Sequence, residues 1–392
     1  MAASRGGDPR ARAKADGLPV RPPATSRSAG SAVAGLLSVL GFGALFAQSP
    51  KSDFEAMPFA PRRYVTYRAP APISVDGRLD ERAWTSAAWT DFFIDIDGDR
   101  RPQPRFRTRA KMLWDDEYFY VAAEMEEPDL WGTLTVRDSV IFQDNDFELF
   151  IDPDGDTHAY YELEVNVLAT AWDLMLVKPY RDGGPALNGW DIAGLRVGVD
   201  TRGTVNRPGD RDDGWTVEIA MPWKILREAA RDHKRPEAGD QWRINFSRVQ
   251  WHLDDGNGSY AKRLKPGTTT PLPEDNWVWS PQGAIDMHMP ERWGYVQFSS
   301  RLAGSGTDAF VEDPNESVKW GLRRLYYRQR AMRAATGRYA ETLEALNDGR
   351  VSIDVPDSPV LQTTRSLYEI SAKGSGGTLV HINQDGRVWV TR

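Results

Sequence analysis

Asn145-Asp146-Phe147-Glu148-Leu149-Phe150-Ile151-Asp152, followed by Pro153-Asp154-Gly155-Asp156 and then by residues 160–169, reads as a β-hairpin. Alternation with a period of two puts Phe147, Leu149 and Ile151 on one face and Glu148 on the other. In the second arm Glu162, Glu164 and Asn166 alternate in the same way against Leu163, Val165 and Val167. One sheet face is therefore apolar, and the other carries carboxylates and an amide. Acceptors repeated along a flat strand face suit a polyhydroxylated ligand, a metal ion or an acid/base pair.

Outward from this hairpin, short strand-like runs recur between turn signals, at residues 73–75, 109–113, 118–124, 195–199, 215–219, 243–249, 276–280 and 294–298. Many short strands with few long helical patterns predict a mainly β fold, an antiparallel sandwich or jelly roll. Pro222 opens one short helical stretch at 223–231. The 392 residues include 15 Trp and 13 Tyr, and Trp114, Trp215 and Trp223 fall in strand or cap positions that suit a core. A net charge of -7 argues against a nucleic-acid partner, since phosphate backbones require clustered Lys and Arg. Cysteine is absent, which removes disulfides, thiolate metal sites and a cysteine nucleophile.

The N-terminus differs in kind. Arg5, Arg10, Arg12, Lys14, Arg21 and Arg27 precede an apolar run over 32–47 with a plausible cleavage point after Ala47, the pattern of a signal peptide or an N-terminal anchor. Both predict a protein on the non-cytoplasmic side, periplasmic, extracellular or attached to the envelope. Residues 48–63 read as a Pro-rich linker, 64–300 as the sandwich and 301–315 as a second linker. Residues 316–392 then form a small α+β appendage, with a helix over 316–346 and strands near 367–372, 378–382 and 390. On that helix Val318, Leu322, Leu325 and Tyr326 form the apolar stripe, and Arg323, Arg324, Arg328, Arg330 and Arg333 line the complementary positions, expected as a solvated face, with a basic face over 326–330 turned to an acidic polysaccharide or to the acidic sandwich as the alternative.

Four phrases carry a resemblance. They are Ile73-Ser74-Val75-Asp76-Gly77-Arg78-Leu79-Asp80-Glu81 with Trp84, the stretch 110–122 beginning Ala110-Lys111-Met112-Leu113-Trp114, the stretch 144–152, and Gly214-Trp215-Thr216-Val217-Glu218 with Pro222-Trp223. In order, and over about residues 64–300, the chain resembles family 9 carbohydrate-binding modules and their close relatives. The resemblance implies a β-sandwich that binds a poly- or oligosaccharide between two aromatic rings, with calcium held in the scaffold. It implies rings at Phe142 and Trp279, a carboxylate at Glu148 and an amide at Asn276, with Glu162, Glu164 and Asn166 as neighbours. Two positions depart from the family pattern: a family Trp is Phe142 here, and a family Arg is Glu164.

A pyranose presents a C–H face to an aromatic plane and hydroxyls at its rim, so these residue types suit it. Glu148 could instead pair with Arg137 or Lys178. Asp152, Asp154 and Asp156 around Gly155 supply hard oxygen donors for a structural calcium ion, although such clusters are also ordinary turn chemistry. Asp95 to Asp99 and the 254–258 turn are weaker versions. A glycoside hydrolase would need two separated acids, and adjacent strand acids are expected to be exposed with ordinary acidity. No nucleophile elbow or zinc motif is present, and His158, His252, His288 and Met175 are haem-ligand types without a binding pattern. The readings that remain are non-catalytic carbohydrate binding in carbohydrate catabolism, a structural or partner-binding envelope protein on the same sandwich, and, more weakly, a hydrolase.

Overall fold

The structure, a computed structural model, describes residues 58–346 and 359–392. The expected leader and its cleavage point therefore lie outside the described residues. Strands β1 (Arg63–Arg68), β2 (Ile94–Asp95), β3 (Thr108–Trp114) and β4 (Tyr118–Met125) open the fold. They are followed by β5 (Asp146–Asp152), β6 (Tyr160–Asn166), β7 (Ala171–Leu176), β8 (Ala186–Leu187), β9 (Arg196–Arg202) and β10 (Gly214–Pro222). Next come β11 (Gln241–Gln250), the hairpin β12 (Leu253–Gly256) and β13 (Ser259–Lys262), then β14 (Asp275–Val278) and β15 (Gly294–Leu302).

The hydrogen-bonded order is β8-β7-β6-β5-β11-β15-β1-β3-β4-β10-β9. β1 is the corner: it begins alongside β15 and ends alongside β3, parallel to both, with a shift of register after Thr66. The path thus folds into two layers whose apolar faces meet. Phe147, Leu149, Ile151, Leu163, Val165 and Phe246 of the first layer share one core with Met112, Val121, Val217 and Ile219 of the second. The same core holds Trp114, Trp215 and Trp223. The fold is a mainly β sandwich, as its sequence alternation dictates.

Residues 73–75, expected as a strand, instead lie across the outer face of the second layer. Their anchor is Glu218 on β10. Its carboxylate accepts the backbone N–H groups of Asp76 (2.9 Å) and Gly77 (2.7 Å) and the indole N–H of Trp84 (2.5 Å). Gly77 has φ +92°, and a Cβ there would stand 2.3 Å from the Val199 carbonyl carbon. One buried carboxylate therefore explains why Asp-Gly and Trp stand at that spacing. The short helix α1 (Arg82–Thr85) carries Trp84 into a second cluster with Leu113, Tyr120 and Ala220. The helix expected at 223–231 is only one turn, α2 (Trp223–Leu226).

The C-terminal helix α3 (Glu316–Thr336) stops at Gly337, whose φ of +76° closes it, so it is ten residues shorter than its periodicity suggests. It packs on the sheet β16 (Val360–Thr363), β17 (Tyr368–Lys373), β18 (Leu379–Asn383) and β19 (Val388–Thr391). Arg323, Arg324 and Arg328 are buried, not solvated as expected. The helix turns this face inward, where Arg323 Nη2 reaches Thr157 Oγ1 (3.3 Å) and Arg328 Nη1 reaches the Leu346 carbonyl (3.2 Å). Arg181 and Glu291 pair at 2.8 Å under the helix, Tyr327 donates to Glu291, and Tyr326 and Arg330 converge on Asp182. No helix among the described residues is long and apolar enough to cross a membrane.

Truncating Glu218 to Ala strands two buried donors and a third that is partly buried, and the expected loss is about 3 kcal/mol in chemical denaturation. A change below about 0.5 kcal/mol would show that the carboxylate does not hold the 73–84 segment. Burial alone would raise the pKa of Glu291, but Arg181, Arg323 and the Tyr327 hydroxyl outweigh it and hold it at about 2, below its ordinary 4.5. A depressed carboxylate stabilises the fold above pH 4.5 and loses that contribution as pH falls towards 2. The stability gap between the protein and its Glu291→Gln variant should therefore shrink by about 2 to 3 kcal/mol between pH 5 and pH 2, followed by urea unfolding.

Candidate functional site: an acidic ladder on the outer face of the first layer

The alternation that buries Phe147, Leu149 and Ile151 in the core turns Asp146, Glu148 and Phe150 to the outer face. Asp152 closes the hairpin, accepting the N–H of Gly155 (3.0 Å) on one carboxylate oxygen and that of Thr157 (2.9 Å) on the other. This fixes the register. Glu148 faces Glu164, Asp146 faces Asn166 and Phe150 faces Glu162 on β6, and Glu164 in turn faces Trp172 on β7. On the other side Ser247 of β11 faces Glu148, and Val249 lies between Asp146 and Asn276 of β14. Glu148, Glu162, Glu164, Asn166 and Asn276 are thus brought onto one face.

The acids are buried, which overturns the expectation of exposed strand carboxylates with ordinary acidity. Glu148 is 5 % exposed, Glu162 6 % and Glu164 1 %. Burial is the main reason that Glu148 is pushed up to about 7. Asp146, Glu162 and Glu164 are raised well above the usual range, first by burial and then by one another. Carboxylate oxygens of Asp146, Glu148 and Glu164 all lie within 4.8 Å of one another. Glu148 pairs with neither expected cation, because Arg137 is taken by Asp173 and Lys178 by Asp385.

Three expected sugar contacts sit differently. Trp279 is 1 % exposed and belongs to the core, its ring centroid 5.8 Å from that of Phe246 and its ring edge under Gly294. The reason is strand phase. Asn276 points outward, so Trp277 points in, Val278 out and Trp279 in; residues three apart on an extended chain cannot share a face. Phe142 and Trp279 therefore do not flank one slot. Asn166 is wholly buried and committed to local structure: its carbonyl accepts the N–H groups of Leu168 and Thr170 (3.0 Å each), and its amide donates to Leu134 O (2.8 Å) and Asp144 (3.0 Å). Phe142 is half-buried beside Trp131 and Trp251, and its backbone N–H donates to Glu164 (2.9 Å).

Sequence reasoning missed Asp146, Ser247 and Trp172. Asp146 and Ser247 were legible from the phase of their own strands. Trp172 was hidden because β7 was not recognised, although Trp172, Leu174 and Leu176 alternate with Asp173 and Met175. Two larger clefts lie elsewhere, one of about 610 Å³ lined in part by Trp223, His233 and Arg235 and one of about 380 Å³ lined in part by Phe92, Arg107 and Arg202. Neither contains a residue of the ladder.

The Asp152, Asp154 and Asp156 turn was the expected calcium loop. Its carboxylate oxygens also lie within 4.8 Å of one another, so the donor type and number suit a hard cation. Asp152 is nonetheless spent on backbone N–H groups, and Asp156 accepts from His158 N (2.7 Å) and from Arg387 Nε (2.7 Å). A guanidinium from the C-terminal sheet already supplies positive charge there.

Trp279→Ala should act through the core, costing about 3 to 5 kcal/mol in thermal or chemical unfolding. An unchanged midpoint would place the ring at a surface instead.

Comparison with known proteins gives one family match. Residues 75–258 match the model for the carbohydrate family 9 binding domain-like family. Among solved structures, a family 9 carbohydrate-binding module from Caldicellulosiruptor kristjanssonii in complex with cellotriose is 15 % identical, with a TM-score of 0.40 over 63 % of this chain and 99 % of that one. A structure of a family 9 module from the same organism with glucose is also 15 % identical, with a TM-score of 0.39 over 62 % and 100 %. No curated protein matches the chain.

Proposed function

We propose, from the match of residues 75–258 to the carbohydrate family 9 binding domain-like family, that the protein binds a poly- or oligosaccharide without cleaving it. The observation that carries this reading is the family match, whose span contains Phe142 and the whole acidic ladder but ends before Asn276 and Trp279. The ladder supports it chemically. Glu148 and Glu162, the least buried of the four acids, offer carboxyl oxygens to sugar hydroxyls, and hydrogen bonds of this kind orient a ligand. Half-buried Phe142 and Trp172 supply the apolar ring faces that the expected Trp279 does not.

A non-catalytic role is favoured by the burial of the acids, which lie on a covered face and not in an open cleft. Retaining and inverting glycosidases hold their two carboxyl groups about 5–5.5 Å or about 6.5–9.5 Å apart across a cleft that admits the sugar. Here the acids lie buried on a covered sheet face, and the two clefts described above contain none of them. Export is part of the proposal and rests on the basic and apolar segments before residue 48; a role in carbohydrate breakdown outside the cytoplasm follows from it. The reading as a structural envelope protein draws support from Asn166 and Trp279, two expected sugar contacts that the fold uses internally.

Calorimetry with soluble gluco-, xylo- and manno-oligosaccharides separates these readings. Binding to one of them should weaken about tenfold, or 1.4 kcal/mol, in Trp172→Ala and in Phe142→Ala. Absence of heat with every sugar, or binding indifferent to both substitutions, would favour the envelope reading or another site.

A further inference from the structure

The hairpin turn that joins β5 to β6 is also where the C-terminal unit lands. Arg387 Nε donates to the Asp156 carboxylate (2.7 Å), Val388 N–H donates to the Asp156 carbonyl (3.1 Å), and Thr157 Oγ1 donates to the Gly386 carbonyl (2.9 Å). Helix α3 adds Arg323, whose Nη2 donates to Thr157 Oγ1 (3.3 Å), and beside the turn Lys178 pairs with Asp385 at 3.0 Å. The residues that reach the turn from α3 and the C-terminal sheet all lie beyond the 75–258 span of the family match.

The backbone of the turn is bent in a way that needs holding. Gly155 has φ +70°, Thr157 +76° and Ala159 +49°. Thr157 is β-branched, and the left-handed region strains such a residue, so the conformation persists only where its surroundings over-determine it. Asp152 takes its N–H (2.9 Å), while Gly386 and Arg323 take its hydroxyl. The strained residue is thus gripped from the sandwich on one side and from the C-terminal unit on the other.

Charge in the turn is settled from the same side. Asp152 accepts Gly155 N–H and Thr157 N–H, Asp154 accepts Asp156 N–H (3.3 Å), and Asp156 accepts His158 N–H (2.7 Å) beside Arg387. Burial and mutual repulsion push Asp152 well above the usual carboxylate range and Asp154 up to about 6, and Arg387 works against that rise at Asp154. Among the described residues Arg387 is the one Lys or Arg that hydrogen-bonds to any of the three carboxylates. A calcium ion needs about six to eight oxygen ligands. Carboxylates already turned to N–H groups and to a guanidinium do not fit the ion expected there.

We propose that Arg387 takes the place of a metal ion at the Asp152, Asp154 and Asp156 turn, so that the C-terminal unit, and not calcium, fastens the turn and with it the two arms β5 and β6. A guanidinium suits the task, because it stays charged and directs its N–H groups at a carboxylate. Unlike an ion, it cannot be withdrawn by a chelator. Without it, three crowded carboxylates offer hard oxygen donors around a glycine, which is the donor chemistry that calcium takes. The proposal does not depend on the carbohydrate-binding function.

The test is the thermal midpoint of the full chain in excess EDTA and in millimolar calcium chloride, for the wild type and for Arg387→Met. The wild type should unfold at the same temperature in both. Arg387→Met should unfold about 2 °C lower or more in EDTA, and calcium should recover most of that loss. A wild-type midpoint that rises with calcium and loses the rise in Asp154→Asn overturns the proposal, because the turn then takes an ion with Arg387 in place. So does an Arg387→Met variant that matches the wild type in EDTA or ignores calcium. If that variant does not fold, Asp156→Asn decides, since it removes the acceptor of Arg387 at constant volume. Its midpoint should fall by a similar amount, and an unchanged midpoint overturns the proposal.

Discussion

The two-residue period of an extended chain governs this molecule. Once Phe147, Leu149 and Ile151 enter the core, Asp146 and Glu148 have no choice of face, and the same holds for Glu162 and Glu164 once Leu163 and Val165 do. Burying the hairpin's apolar side thus concentrates negative charge on its other side. In an open sheet that charge would be solvated at little cost. Here neighbouring segments cover it, and the shifted acidities of Glu148 and its neighbours are the result. The electrostatics of the site follow from the packing of the core.

Other parts of the chain resolve their buried charge internally. Glu218 meets three N–H donors and in return fixes the 73–84 segment on the second layer. Arg248 and Glu127 pair at 2.9 Å within the interior, with Gln250 and Thr108 satisfying the remaining guanidinium donors. Arg181 and Glu291 do the same beneath α3, where they tie the C-terminal unit to the sandwich. The ladder stands out against these because, among the described residues, its acids make no ion pair with a Lys or Arg. That contrast, within one molecule, sets the candidate site apart from the structural ion pairs.

The sandwich was legible because its evidence is local: alternation, turn residues and the Asp-Gly and Trp phrases near Asp76 and Trp84 each report on a few neighbouring positions. The acidic face was legible for the same reason, since one hairpin carries most of it. What escaped depends on distant partners. The surroundings of Glu148 include Ser247 of β11, distant in sequence, and the inward face of α3 is set by Thr157 and Glu291 of the sandwich. Trp279 is a different kind of miss. The phase of Asn276, Trp277, Val278 and Trp279 already excluded a shared face for the first and last, and a correspondence by resemblance overrode it.

The central claim is that the outer face of β5, β6, β7 and β11 is where ligand binds. A crystal structure of the chain with a bound oligosaccharide tests it most directly. The account predicts sugar on this face, in contact with Phe142 or Trp172. Sugar seated in the cleft beside Trp223 and Arg235 would contradict it.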